Sequence, residues 1–329
     1  MIKIFVTRAI PDSGLKLLQK RKSLQVEVFE EDRPIKRSEL LKRIKGVDVL
    51  LSILTDKIDA EVMDAAGGSL KMIANYAVGF DNIDLKAAKE REIIVTNTPG
   101  NEISEAVAEH TIAMIFALAH RIIEVDDYTR AGKYHGWGPM LLLGTDVMGK
   151  TIGLIGTGRI GSMVAKRLFD GFGVKIVYHD VKRNPDFEKQ FNAKFRTKEQ
   201  LLKEADFISI HVPLLPTTKH MISTKELKTM KKTAFIINTS RGPIIDEPAL
   251  IKALRTGEIG GAGLDVFECE PFIACNPKDR RELIKMKNVV LTPHTASATW
   301  GARQAMSTVA AENILAFASG KVPPNQIKI

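Results

Sequence analysis

The chain has 329 residues, of which 44% are hydrophobic and 26% are charged. This length favours two domains, and the composition excludes a predominantly disordered protein. The formal net charge of +9 at pH 7 comes from lysines and arginines that are scattered along predicted helices and are not interleaved with aromatic residues. We therefore interpret it as a solvated basic surface that attracts anionic substrates, and we expect no nucleic-acid partner.

No segment predicts a signal peptide or a membrane span. The apolar run at residues 2–6 is too short for a signal peptide, and residues 111–119 fall well short of the roughly 20 residues that cross a bilayer. Cys269 and Cys275 are the only cysteines, and their number and spacing indicate incidental thiols rather than a disulfide framework or zinc ligands. We expect a cytoplasmic protein with no metal site and no membrane contact.

The first hundred residues alternate short apolar runs with amphipathic helical patterns. This alternation is typical of an α/β fold, in which helices cover both faces of a parallel sheet. The predicted strands are residues 2–7, 24–29, 47–53, 72–75 and 93–96, and the predicted helices are residues 14–21, 37–44, 59–65 and 84–90.

One long helix is predicted after Pro99-Gly100. Residues 101–133 contain no proline and no glycine before Gly132, and apolar residues recur at helical spacing. A continuous helix here would be about 45 Å long at ~1.5 Å per residue. We expect it to cross between domains or to pack on a second subunit.

A second strand and helix alternation begins at Lys150. The predicted strands are residues 151–155, 175–178, 207–211, 234–238, 261–266 and 289–291. The clearest helices between them are residues 160–169, 225–229 and 247–256, and a last helix covers residues 301–318. The second half therefore also predicts a parallel sheet.

A glycine-rich segment, Gly156-Thr157-Gly158-Arg159-Ile160-Gly161, follows a predicted strand and opens an amphipathic helix. Gly156 permits the tight turn, Gly158 lets the backbone approach a pyrophosphate, and Gly161 lets helix and strand pack closely. The phosphates would then meet the positive end of the helix. A glycine-rich loop alone is weak evidence, but this context predicts a dinucleotide site.

Asp180 follows the next predicted strand, about 20 residues beyond Gly161. A carboxylate here accepts hydrogen bonds from the ribose hydroxyls and repels a 2′-phosphate, which favours NAD over NADP. Lys182 and Arg183 follow closely, so NADP stays the alternative.

Arg241, Glu270 and His294 each follow a predicted strand of the second half, where an α/β sheet forms its crevice. An arginine can present two parallel donors to a carboxylate. A histidine can protonate the alkoxide that forms when hydride adds to a ketone, and a glutamate bound to the imidazole would orient it. Each residue alone is more often structural, but together, after a dinucleotide fingerprint, they predict a dehydrogenase.

These motifs resemble the successive signatures of the D-isomer-specific 2-hydroxyacid dehydrogenases. The resemblance is carried by residues 156–161, 238–242, 263–271 and 293–294 and runs through almost the whole chain. Residues 75–84, 143–146 and 322–325 are most similar to the glyoxylate/hydroxypyruvate reductase branch. Many reductases of that branch have Ser-Arg where this chain has His179-Asp180.

The resemblance implies two doubly wound parallel-sheet α/β domains. A Rossmann domain, residues 100–298, would bind NAD and would be inserted in a flavodoxin-like substrate-binding domain formed by residues 1–99 and 299–329. The long helix would form part of a homodimer interface. The enzyme would transfer a hydride between NAD(H) and a small D-2-hydroxy or 2-keto acid.

The resemblance also implies a role for individual residues. Arg241 would hold the substrate, His294 would be the acid/base and Glu270 would support His294. The backbone N–H groups of Val78 and Gly79 would receive the substrate carboxylate. Further cofactor contacts are implied for Arg159, Ile160, Asp180, Val212, Thr239 and Asp265, the last as the partner of the nicotinamide amide.

Two other functions stay open at this point. The same machinery could oxidise another donor such as phosphite, as a relative in this family does. The chain could also be a non-catalytic NAD-sensing scaffold, since transcriptional corepressors share this fold. The sequence leaves the physiological acid and the direction of the reaction undetermined.

Overall fold

The computed structural model describes residues 1–270 and 282–328, which divide into two compact units. Among these residues, the first unit contains 1–103 and 298–328, and the second contains 104–270 and 282–297. Each unit is built on its own parallel sheet.

The first unit has a five-stranded sheet in the order β2-β1-β3-β4-β5, the flavodoxin-like order. Its strands are β1 (Ile2–Val6), β2 (Leu24–Val28), β3 (Val49–Ile53), β4 (Met72–Tyr76) and β5 (Ile94–Thr96). Its helices are α1 (Asp12–Gln19), α2 (Arg37–Arg43), α3 (Ala60–Ala65), α4 (Leu85–Glu90) and, near the end of the chain, α12 (Trp300–Ala318). Strand β4, which lies between β3 and β5, is buried throughout, as expected for a sheet covered on both faces.

The second unit has a seven-stranded parallel sheet in the order β12-β11-β10-β9-β6-β7-β8. The strands are β6 (Thr151–Ile155), β7 (Lys175–His179), β8 (Lys194–Phe195), β9 (Phe207–Ile210), β10 (Phe235–Asn238), β11 (Gly261–Leu264) and β12 (Val289–Leu291). The helices between the strands are α7 (Arg159–Phe172), α8 (Pro185–Phe191), α9 (Lys198–Glu204), α10 (Thr224–Thr229) and α11 (Glu247–Thr256). The strand order reverses between β6 and β9, which is where doubly wound sheets bind ligands.

The predicted fold class, two doubly wound parallel sheets, is confirmed. Most predicted strands and helices have observed bounds within one to three residues of the prediction. Strand β8 was not predicted because a two-residue strand is too short to show a periodic pattern.

The prediction of one continuous helix over residues 101–133 is wrong. The segment forms α5 (Asn101–Ala119) and α6 (Ile122–Arg130), which meet at an angle of 60°. The carbonyl of Ala119 accepts a hydrogen bond from Thr145 N at 2.8 Å, although a continuous helix would use it for residue 123. Arg121 consequently adopts a left-handed conformation with φ of 54°.

In the part of the chain that the structure describes, no single helix is long and apolar enough to span a membrane. Helices α5 and α6 meet the length and composition criteria only when taken together as a bent pair.

Candidate functional site

The structure brings Glu270 and His294 into direct contact. His294 Nδ1 lies 2.6 Å from Glu270 Oε2, and the two side chains are 16% and 30% exposed, the glutamate less than the histidine. Glu270 follows β11 and His294 follows β12, and these are neighbouring strands whose carboxyl ends lie at one edge of the sheet. Because Glu270 binds Nδ1, Nε2 is the imidazole nitrogen left for proton exchange with a ligand.

Asp265 holds the loop that carries His294. The backbone of His294 is left-handed, with φ of 56°, and its N–H donates to the Asp265 carbonyl at 2.8 Å. The Asp265 side chain is fully buried. Its carboxylate accepts from Thr292 Oγ1 at 2.6 Å, Thr295 N at 2.8 Å and Ala296 N at 2.9 Å. The structure thus places this carboxylate beneath the His294 loop, while its contact with a nicotinamide amide stays a prediction.

Helix α5 braces the same edge of the sheet. His110 Nε2 lies 3.0 Å from Thr292 Oγ1, and Thr111 Oγ1 lies 3.0 Å from Thr239 Oγ1. The hydroxyl of Thr239, a predicted cofactor contact, is therefore engaged with α5. The sequence analysis missed His110 and Thr111 because they are interior positions of a helix and carry no motif.

Arg241 follows β10 in a turn that Asn238 fixes. The buried Asn238 amide accepts from Ser240 N at 3.0 Å and donates to the Arg241 carbonyl at 2.8 Å. Gly242 then packs directly on the next loop, since a Cβ added there would lie 1.8 Å from the carbonyl oxygen of Phe267. Phe267 begins the turn that ends at Glu270, whose N–H donates to the same carbonyl at 3.1 Å. The Arg241 loop and the Glu270 loop are therefore in backbone contact.

The glycine-rich loop has the geometry expected for a pyrophosphate site. Gly156 has φ of 93°, and a Cβ on Gly161 would lie 2.3 Å from the Gly156 carbonyl oxygen. A Cβ on Gly158, in contrast, would meet no described atom within 4 Å. Helix α7 begins at Arg159, and among the described residues no side chain caps its start. Its first N–H groups, at Arg159 and Ile160, suit an anionic group beside Gly158.

Asp180 is bound to the glycine-rich loop. Its Oδ2 accepts from Thr157 N at 2.8 Å and Thr157 Oγ1 at 2.9 Å. Arg183 is directed to another acid, because its Nε and Nη2 donate to the two oxygens of Glu188 at 2.8 and 2.7 Å. This ion pair lowers the pKa of Glu188 to about 2. The guanidinium of Arg183, three residues after Asp180, is thus paired with the carboxylate of Glu188.

The end of β9 lies against the glycine-rich loop at the switch point. A Cβ on Gly156 would lie 2.8 Å from the His211 carbonyl oxygen and 2.9 Å from Val212 Cγ1. The His211 imidazole is enclosed, although the residue as a whole is half-buried, and burial lowers its pKa to about 4. A histidine with so low a pKa is neutral near pH 7. Val212, a predicted cofactor contact, accepts a hydrogen bond from the Ser240 hydroxyl at its backbone carbonyl.

In the first unit, the loop after β4 presents consecutive peptide groups in a fixed orientation. Three successive carbonyls accept hydrogen bonds: Ala77 from Thr98 N at 2.9 Å, Val78 from Asn97 Nδ2 at 2.7 Å, and Gly79 from Asn75 Nδ2 at 3.0 Å. The C=O and N–H of a trans peptide point in opposite directions. The N–H groups of Val78, Gly79 and Phe80 therefore point away from these donors, in an arrangement that suits a carboxylate.

Buried amides hold this loop in place. Asn75 and Asn82 are buried and hydrogen-bond to each other, and Asn97 accepts at its carbonyl from Asn313 on α12. Asn75 and Asn97 were not predicted as functional residues. A signal for them exists in the sequence, since both lie at the ends of neighbouring strands, β4 and β5, where polar residues indicate a site.

The interpretation of the cysteines as incidental thiols is wrong for Cys269, which is disulfide-bonded. Cys275 lies outside the described residues. Within residues 1–270 and 282–328, no group of three or more histidine, cysteine, aspartate and glutamate side chains is arranged to hold a metal ion.

The chain is similar in sequence to a known protein family. Residues 112–296 match the family model for the NAD-binding domain of D-isomer-specific 2-hydroxyacid dehydrogenases. The chain is 47% identical over 329 residues to a glyoxylate reductase from Thermococcus litoralis, covering 99% of this chain and 96% of that protein.

Two solved structures extend the similarity to the fold. The TT0316 protein from Thermus thermophilus superposes with a TM-score of 0.91 at 43% identity, covering 99% of this chain and 100% of that one. The D-lactate dehydrogenase from Aquifex aeolicus, solved with NAD and lactic acid, superposes with a TM-score of 0.87 at 29% identity, covering 99% and 98%.

Two glycine substitutions separate packing from ligand space in the glycine-rich loop. Gly161→Ala should lower the melting temperature and weaken NADH binding about tenfold or more, because its Cβ overlaps the Gly156 carbonyl. Gly158→Ala should weaken NADH binding with little change in melting temperature, since its Cβ enters open space. Fluorescence titration and thermal unfolding measure both effects. Normal NADH binding by Gly158→Ala would show that the pyrophosphate lies elsewhere.

Proposed function

The chain belongs to the D-isomer-specific 2-hydroxyacid dehydrogenase family, and from this premise we propose that it reduces glyoxylate and similar small 2-keto acids to 2-hydroxy acids. The family and the reaction class, hydride transfer between NAD(H) and a small 2-hydroxy or 2-keto acid, agree with the prediction from the motifs. The choice of glyoxylate rests on relatives such as the Thermococcus litoralis enzyme. The observation that carries the proposed mechanism is the 2.6 Å contact between His294 and Glu270.

In this mechanism the second unit binds the cofactor, and NADH supplies the hydride when bound. The start of α7, Gly158 and Asp180 would hold it. Arg241 donates hydrogen bonds to the substrate and polarises its keto group. His294 Nε2 donates a proton to the keto oxygen, which becomes the hydroxyl of the product. Glu270 keeps the imidazole oriented through its contact with Nδ1.

The first unit would bind the carboxylate of the substrate. We assign this role to the N–H groups of Val78 and Gly79, because the hydrogen bonds to the carbonyls of residues 77–79 hold the peptides in one orientation. Peptide N–H groups fixed in this way bind an anion without reorganisation.

Removing either proposed catalytic side chain should abolish most turnover. His294→Ala is expected to lower kcat for glyoxylate about 10²- to 10⁴-fold, because the proton donor is lost, and Arg241→Ala should lower kcat/KM by about 10²-fold or more. NADH affinity should change less than about threefold in both. Arg255→Ala, which removes an exposed arginine paired with Glu282, is the matched control for Arg241→Ala.

Initial rates with glyoxylate, hydroxypyruvate, pyruvate, bulkier keto acids and phosphite, followed by absorbance of the reduced cofactor, complete this test. Full activity of either variant would contradict the assignment of that residue. NADH binding without turnover on any of these compounds would instead favour the non-catalytic scaffold.

We propose NAD rather than NADP as the preferred cofactor. Asp180 is hydrogen-bonded to the glycine-rich loop, where its negative charge would repel the 2′-phosphate of NADP. Arg183, the nearby arginine, is paired with Glu188. Asp180→Ser should raise the ratio of kcat/KM for NADPH to that for NADH about tenfold or more. Arg183→Ala, the control, should change this ratio less than about threefold. A strong preference of the wild-type enzyme for NADPH would refute the proposal.

We also propose that the protein is a homodimer through the segment that follows α5. Large apolar side chains are exposed along residues 122–148; they are Ile122, Ile123, Tyr134, Trp137, Met140, Leu141, Leu143 and Met148. Such a concentration of exposed apolar surface is typical of an interaction site. A cavity of about 680 Å³, partly lined by Ile123 and Leu143, lies next to this segment, and a second copy could fill it.

Sedimentation velocity tests the dimer. The wild-type 36.4 kDa chain should sediment as a dimer, and the double variant Trp137→Glu/Met140→Glu as a monomer, because two charges at the interface would have to be desolvated. Val322→Glu, at an exposed apolar residue outside the segment, should leave the dimer intact. A monomeric wild-type protein at micromolar concentration would rule out the interface.

A further inference from the structure

Glu268 lies two residues before Glu270 and has no role in the mechanism above. Its carboxylate nevertheless makes two contacts with other parts of the chain. Oε1 lies 2.6 Å from His220 Nε2, and Oε2 accepts from the backbone N–H of Glu247 at 3.1 Å. The Glu268 side chain is about one-third exposed, so it lies at the margin of the packed interior.

The contact with Glu247 is reciprocal. Glu268 N–H donates to Glu247 Oε2 at 3.0 Å, while Glu247 N–H donates to Glu268 Oε2 at 3.1 Å. Glu247 is the first residue of α11, so the loop after β11 is clamped to the start of that helix by two backbone donors. Each carboxylate accepts a hydrogen bond from the backbone N–H of the other residue, so the two chain segments are joined at two points.

The contact with His220 connects a third segment. His220 adopts a left-handed conformation with φ of 50°, and its N–H donates to the Pro243 carbonyl at 2.8 Å. Pro243 lies in the 3₁₀ turn Gly242–Ile244, directly after Arg241. Ile222, two residues beyond His220, pairs with Ile245 in an isolated β-bridge. His220 is thus bound to the Arg241 segment through its backbone and to the Glu270 segment through its ring.

Glu268 therefore joins the loop that carries Glu270 to two other segments, the start of α11 at Glu247 and the segment that contains His220. The Gly242 backbone packs against the Phe267–Glu268 peptide, where a Cβ would lie 2.4 Å from Glu268 N. The Glu268 carboxylate thus connects the loop that carries Glu270 to His220, and the His220 backbone is bound to the turn that follows Arg241.

We propose that Glu268 is a positioning residue, which holds the Arg241 loop and the Glu270 loop in the register that catalysis needs, with His220 as its partner. This inference rests on the proposed roles of Arg241, Glu270 and His294. A displacement of about 1 Å in a catalytic group can cost about 10²-fold in rate. A support of this kind acts on turnover without contacting substrate or cofactor.

The test uses Glu268→Ala, Glu268→Gln and His220→Ala in the full-length protein, with kcat and KM for glyoxylate, NADH affinity and melting temperature measured for each. Glu268→Ala should lower kcat about 10- to 100-fold while NADH affinity stays within about twofold. Glu268→Gln, which keeps one acceptor oxygen, should retain a kcat between those of Glu268→Ala and the wild type. Glu199→Ala, which removes an exposed glutamate paired with Lys203, is the control and should leave kcat unchanged.

A double-mutant cycle separates positioning from general stability. If His220 and Glu268 act as one unit, the double variant His220→Ala/Glu268→Ala should lose no more kcat than Glu268→Ala alone. Lower melting temperatures with wild-type kcat in the single variants would overturn the inference, because the pair would then be merely structural. If Glu268→Ala does not fold, wild-type kcat in both Glu268→Gln and His220→Ala overturns it in the same way.

A failure of the positioning role of Glu268 can be distinguished from a failure of the proposed mechanism. Inactive His294→Ala and Arg241→Ala together with a fully active Glu268→Ala would refute only the positioning role. Active His294→Ala and Arg241→Ala would refute the mechanism itself, whatever Glu268→Ala does.

Discussion

The loop that carries His294 depends on the hydrogen bonds of one buried side chain, the carboxylate of Asp265. A non-glycine residue with φ near +56°, such as His294, costs about 1–3 kcal/mol and persists only where its surroundings determine it. Asp265 supplies these surroundings for His294. Its backbone carbonyl accepts a hydrogen bond from the His294 N–H, and its carboxylate accepts from three further donors of the same loop. Because a buried carboxylate is costly unless its hydrogen bonds are made, these three bonds favour the observed shape of the loop. In this shape His294 Nδ1 lies 2.6 Å from Glu270 Oε2.

In both units the direction of peptide N–H groups is fixed at the places where we propose that anions bind. In the first unit, Asn75 and Asn97 bind carbonyls, so the opposite N–H groups face away. In the second, the start of α7 presents its N–H groups beside an open space at Gly158. Fixed peptide dipoles need no reorganisation when an anion binds. The positive net charge of the chain would favour the approach of anions.

The strands and helices follow from local rules in the sequence, and the prediction of one candidate site rests on a local rule as well. Parallel strands place their carboxyl ends at one edge, so polar residues after successive strands, such as Arg241, Glu270 and His294, predict one site. The break between α5 and α6 could not be predicted in this way. It depends on a hydrogen bond from Thr145 to Ala119, and within residues 101–131 no proline or glycine marks it. Tertiary contacts override a helical pattern that is locally consistent.

The contacts of His110, His220 and Glu268 could not be predicted from the sequence. Only the folded chain brings each of these side chains within hydrogen-bond distance of a loop of the candidate site. Cys269 was misread because two cysteines in a chain of this length carry little information about pairing.

Gly242, which follows Arg241, packs closely against the neighbouring loop. Its backbone has no positive φ, so conformational freedom does not explain the glycine. What explains it is distance, because any side chain there would overlap the Phe267 carbonyl. The loops after β10 and β11 consequently touch through their backbones, which are less compressible than side-chain contacts. In Arg241-Gly242 the glycine therefore sets how closely the Arg241 loop approaches the loop that carries Glu270.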